Sequence, residues 1–92
     1  MSNKFLEAQE LFNQNELERS LELLDRVLEN DAREPNALLL RGKVYYRMQR
    51  WGEAMNDFAE VIERQPENQD ATTGIEMARS ILGYFTPDMF NP

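Results

Sequence analysis

The chain has 92 residues, 41% of them hydrophobic and 29% charged, with a net charge of −7 and neither cysteine nor histidine. That composition suits one soluble globular domain with a modest core. It argues against general affinity for nucleic acid or anionic lipid, since both need Lys and Arg to meet phosphate. Without cysteine there is no disulfide framework, which fits a reducing cytoplasm. Without histidine the commonest general base and ordinary zinc ligands are gone.

The opening MSNKFLEAQELF has no apolar core followed by a small-residue cleavage site, so it does not read as a secretory signal. No run of about 18 apolar residues follows, so no membrane span is expected. Apolar residues at i, i+3, i+4 and i+7 predict helices over 3–14, 16–29, 35–49 and 51–64. NQNE joins the first pair, with Asn15 expected as an N-cap. NDAREPN separates the pairs, with Pro35 suited to a first helical turn. Pro66 stops the fourth helix. Short connections make neighbouring helices antiparallel.

The helices repeat. Trp51, Ala54, Met55, Phe58, Val61 and Ile62 have counterparts 34 residues earlier in Leu17, Ser20, Leu21, Leu24, Val27 and Leu28. Leu39, Gly42, Tyr45 and Tyr46 map by the same shift onto Phe5, Ala8, Leu11 and Phe12. A helix-interior Gly costs roughly 1 kcal/mol against Ala, so Gly42 implies a packing reason. Small residues at 8, 20, 42 and 54 would let paired helices approach closely. A fifth helix is expected from about Asn68 or Asp70 to Tyr84. The strict 34-residue period would put Glu76 at its small-residue position. Two extra residues in QPENQD would instead align Ile75, Ala78, Ile81 and Leu82 with Phe5, Ala8, Leu11 and Phe12, and this second register is preferred.

On these residues the 35–68 unit resembles a tetratricopeptide repeat, a 34-residue helix–turn–helix. Gly42, Tyr45, Ala54, Phe58 and Pro66 stand at signature positions and Trp51 at a usual aromatic one. Val61 replaces the expected Ala, and Arg41 sits where Leu is typical. The first unit is degenerate but consistent, with Ala8, Ser20, Leu24 and Val27 in place and Ala32 instead of the closing Pro. The resemblance implies an all-α, right-handed solenoid of antiparallel helix pairs, about two and a half units in five helices. Units 1–34 and 35–68 and a capping helix at about 69–84 would form one domain, 1–84. The chain also resembles small stand-alone bacterial proteins of this family.

In that family the first helix of each unit lines a concave groove for an extended peptide or a partner helix. Carried over, the groove positions are Phe5, Gln9, Phe12 and Asn13, then Leu39, Lys43, Tyr46 and Arg47, then Ile75, Arg79 and Leu82. The positions that clamp acidic chaperone tails read Phe5, Gln9, Leu40, then Asp70 or Thr72, and Gly74 or Glu76. None is the required Lys, Asn or Arg, so that mechanism is not expected.

One feature is independent of the family. Between Pro35 and Gly52 lie Arg41, Lys43, Arg47 and Arg50 and no acid, in a chain with 17 acids and 10 bases. Helical spacing puts Lys43, Arg47 and Arg50 on one face. Either the groove is basic and takes an acidic peptide, or these cations pair with carboxylates on neighbouring helices.

Ser2, Ser20 and Ser80 have no nucleophile-elbow context, there is no Gly-rich phosphate loop, and the acids mix with Arg at helical spacing. No catalysis, cofactor, metal or calcium loop is expected. The tail YFTPDMFNP cannot continue a helix through Pro87, yet carries Phe85, Met89 and Phe90. Residues 85–92 are expected to pack on the domain, with docking into a second copy or recognition as a free motif as alternatives. The reading is a cytoplasmic, non-catalytic protein-interaction module, monomer or weak homodimer, for a protein or peptide partner of acidic character. The rival is a self-assembling unit that dimerises through the tail or the open repeat end.

Overall fold

The computed structural model describes the backbone of residues 3–85 and the side chains of residues 3–83. The expected packing of the tail lies outside the described residues. Five helices follow one another: α1 (Asn3–Asn13), α2 (Leu17–Asn30), α3 (Pro35–Arg47), α4 (Trp51–Arg64) and α5 (Gln69–Phe85). They form an all-α solenoid of antiparallel pairs, α1 with α2 and α3 with α4, closed by α5. α3 contacts α1, α2, α4 and α5.

The backbone obeys the 34-residue period at every connection. α1 and α3 both end in a residue of positive φ, Asn15 at 62° and Gln49 at 63°. Each closes its helix by the same two bonds: Asn15 N–H donates to the Phe12 carbonyl and Glu16 N–H to Leu11, while Gln49 and Arg50 donate to Tyr46 and Tyr45. This pairing is the Schellman motif, with the left-handed residue just past the helix end. Asn15 is therefore not the N-cap of α2. That position belongs to Glu16, whose side chain makes no capping bond. An Asn tolerates left-handed backbone better than most residues, so the same turn chemistry explains why it sits there.

The connections between units match in the same way. Pro35 stands in the first turn of α3, and the Glu34 carboxylate caps that helix by accepting from the Asn36 N–H at 3.0 Å. At the equivalent place Asn68 caps α5, its Oδ1 accepting from the Ala71 N–H at 3.0 Å. Asp31 and Gln65 N–H groups donate to Val27 and Val61.

This fixes the register of α5. Pro35 opens α3 and Gln69 opens α5, 34 residues apart, with no insertion between. The two-residue shift preferred from the sequence is thus overturned. Glu76 does occupy the small-residue position, and it is exposed. The physical reason is that this position needs a small residue only where a paired helix packs on it. No described helix packs on that side of α5.

The small positions of the two units work as expected. Ala8, Ser20 and Ala54 are completely buried. Ser20 replaces the usual Ala without an orphan hydroxyl, because its Oγ donates to the Ala8 carbonyl at 2.8 Å and ties α1 to α2. Gly42 faces the ring of Phe58 so closely that an added Cβ would lie 2.7 Å from it. The opposite edge of that ring meets Gly74, where an added Cβ would again lie 2.7 Å away. Phe58, 2% exposed, is therefore held between a glycine of its own unit and one of α5.

Candidate functional site

Along the face shared by α1, α3 and α5 runs an open groove of about 470 Å³, lined by Phe12, Lys43, Tyr46, Arg47, Gln69, Asp70, Thr73 and Met77, with Phe58 and Gly74 at its floor. A second concavity continues it toward the end of α5, bounded by Tyr46, Thr73, Glu76, Met77, Ser80 and Ile81. The odd-numbered helices run parallel, so equivalent positions fall side by side. Lys43 and Met77 are 34 apart, as are Tyr46 and Ser80, and Arg47 and Ile81.

Of the residues assigned to the groove from the sequence, Lys43, Tyr46 and Arg47 come together there, joined by Phe12. Gln9 and Asn13 are exposed on α1 but do not line it, and Leu39 is half-buried against the core. Arg79 lines neither concavity. It is exposed on α5. Ile75 and Leu82 do not line the groove either. The sequence reading missed Thr73, Met77, Ser80 and Ile81, although the strict 34-residue period names all four. The shifted register of α5 hid them.

The cations divide differently from the expectation of one basic face. Arg41 points away from the groove. Its Nε and Nη2 donate to both oxygens of Asp57 on α4 at 2.8 and 2.9 Å, and its Nη1 donates to Asp25 on α2 at 3.0 Å. Arg41 thus joins three helices. The bonds to Asp57 hold its guanidinium well above the usual arginine range, against the desolvation that opposes them. Burial pushes the Asp57 carboxyl up from its ordinary value, and the bonds from Arg41 pull it back only in part. Buried ion pairs behave in this way because desolvation competes with attraction.

Arg50 also leaves the face. α3 ends at Arg47 and Gln49 reverses the chain, so helical spacing does not extend to residue 50. Arg50 pairs with Glu53 and lies 4.8 Å from the Tyr45 ring centre. In the groove, Lys43 pairs with Asp70 at 3.2 Å, the lysine side chain half-buried and the aspartate largely in solvent. Such a pair contributes little, typically under about 1 kcal/mol. Arg47 is different. It lies 3.9 Å over the Phe12 ring and donates from Nη1 to the Phe12 carbonyl at 3.1 Å. Among the described residues no carboxylate pairs with it, and it is exposed. Tyr46 is braced from behind by an edge-on contact with Trp51, ring centres 5.1 Å apart.

Among the described residues no cluster of three or more acids, histidines or cysteines is placed to hold a metal. Among the described residues no helix is long and apolar enough to cross a membrane.

Stacked helix pairs with a groove on one side define a helical-repeat scaffold. The family model of the tetratricopeptide repeat matches residues 35–68, and the chain belongs to that family. The human protein named tetratricopeptide repeat protein 16 is 33% identical over 71 residues, which is 77% of this chain and 8% of that relative. The chain therefore spans less than a tenth of that relative's length. No solved structure matches it. Repeats of this family generally mediate protein–protein interaction.

Proposed function

We propose that the chain is a non-catalytic interaction module that holds an extended segment of a partner protein in the groove between α1, α3 and α5. The observation that carries this reading is the combination of Arg47, exposed and without a carboxylate partner among the described residues, with the apolar surfaces of Phe12, Tyr46 and Met77 beside it. A planar guanidinium already fixed on a ring is well prepared to take a carboxylate in two parallel bonds. The suitable ligand is an apolar side chain flanked by an acid. Lys43 adds positive charge at the rim, tempered by Asp70. The reading is narrower than a basic groove, because Arg41 and Arg50 turn elsewhere and Arg79 lines no part of it. A cysteine-free chain suits such work in the reducing cytoplasm.

Random peptides displayed on phage and selected on the folded chain test this. Enriched sequences should pair an acid with a large apolar residue, and their binding should be lost on Arg47→Glu and weakened on Met77→Ser. Equal binding to both variants would overturn the assignment of the groove. Sedimentation over a range of concentrations separates the module from a self-assembling unit, which would show a stable dimer.

A further inference from the structure

Leu6 and Met77 are the large apolar side chains left exposed among the described residues, at 52% and 47%. Leu6 lines neither concavity, but Met77 lies in the groove, where Tyr46, Thr73, Ser80 and Ile81 surround it. The end of α5 is close by. Ile81 lines the concavity, and from it to Phe85 the helix rises only about 6 Å. Residues 86–92, TPDMFNP, follow directly.

Seven residues span at most about 23 Å. Folding back over about 6 Å of helix and crossing the roughly 8–10 Å that separates packed helices leaves chain to spare. Pro87 prevents α5 from running on and favours a turn at that point. The segment then presents one acid, Asp88, no base, and two large apolar side chains, Met89 and Phe90. On the receiving side are Arg47, which lacks a carboxylate partner among the described residues, and the apolar faces of Tyr46, Met77 and Ile81. Among the described residues Glu76 is the one acid lining this end, while Lys43 and its partner Asp70 stand further along.

We propose that residues 86–92 fold back in cis into the end of the groove, with Met89 and Phe90 against Tyr46, Met77 and Ile81 and Asp88 facing Arg47. The segment is an internal occupant that an external peptide must displace. This proposal rests on the same groove as the proposed function and adds its regulation. A tether this short favours the segment's own groove over that of another copy, because its effective concentration there reaches the millimolar range.

The test uses the full chain with labelled methyl groups, compared with its Met89→Ser/Phe90→Ser variant and with Asp88→Lys. In the wild type, nuclear Overhauser contacts should join the Phe90 ring to the Met77 methyl at all protein concentrations. The Met77, Tyr46 and Ile81 signals should shift in the double variant while its helical circular dichroism is unchanged. Asp88→Lys should move the Arg47 side-chain signal. Synthetic TPDMFNP added to the double variant should restore the wild-type shifts, and should leave the wild type largely unmoved. Absent contacts and unmoved groove signals would overturn the proposal. So would contacts seen only between differently labelled chains, which would assign the segment to a second copy. If the segment is absent from the groove but selected peptides still bind there, only this inference fails. If the segment occupies the groove but the double variant captures no selected peptide, the proposed function fails instead.

Discussion

α3 and α5 occupy the same position in successive units, and residue by residue they match on one side only. Toward the preceding unit they match: Ala37 and Val44 on α3, Ala71 and Ala78 on α5, are all completely buried. On the other side Leu38, Gly42 and Tyr45 of α3 become Thr72, Glu76 and Arg79 of α5. α3 has α4 packed on that side, whereas no described helix covers it on α5. The repeat dictates the backbone and one face of each helix. What lies on the other face dictates the rest. A polar side on α5 is consistent with the absence of a described helix packed against it.

The sharpest break in the match is Arg41, whose counterpart on α5 is Ile75. Arg41→Leu would leave Asp57 buried without its partner and should cost about 3 kcal/mol. For a domain of this size that corresponds to a fall in Tm of about 12 °C or more. Arg41→Leu/Asp57→Leu should recover most of the loss, since a buried pair replaced by apolar residues is often neutral. A double variant as unstable as the single one would show that the pair contributes more than its desolvation costs.

The glycines sharpen the comparison next. Gly42→Ala and Gly74→Ala press on opposite edges of one ring that cannot retreat from either, so each should lose about 1–3 kcal/mol despite the better helix propensity of Ala. A Cβ at Gly83 would meet nothing within 4 Å. Gly83→Ala should therefore gain about 0.5–1 kcal/mol. Thermal melts of the three variants check the order, and a stabilising Gly74→Ala would contradict the packing of α5 on Phe58.

A smaller gain is expected at the turn. Gln49 holds a φ of 63° that suits Gly, so Gln49→Gly should stabilise by about 0.5–1 kcal/mol in urea titrations. The gain at Asn15, φ 62°, should be smaller because Asn accepts this conformation more readily.

The smallest effect is in pH. Asp57 holds its proton more firmly in the folded chain than in the unfolded one, since burial raises its pKa above the ordinary 3.8. Its titration therefore favours folding at acid pH, and that contribution is lost as pH rises through the folded value. Against Asp57→Asn, which does not titrate, the stability of the wild type should decline over the window that opens near pH 3.8. A difference that grew with pH would mean that Arg41 outweighs burial.

The sequence by itself determined the period, the pairing of helices and the small positions at 8, 20, 42 and 54, because these are set by local spacing and by contacts within one unit. The strict period also contained the register of α5, yet Glu76 at a small-residue position argued against it. That objection disappears only once the missing neighbour is known. The cations show the same limit. Sequence spacing gathered Lys43, Arg47 and Arg50 on one face, but the Schellman turn at Gln49 carries Arg50 away, and Asp25 and Asp57, each 16 residues from Arg41, draw that side chain to the back of the sheet of helices. Gly74 had no visible reason in the sequence, because its reason is a ring on another helix. Which side chains line the groove was decided by tertiary structure, since a helical face acquires its meaning from whatever packs, or does not pack, against it.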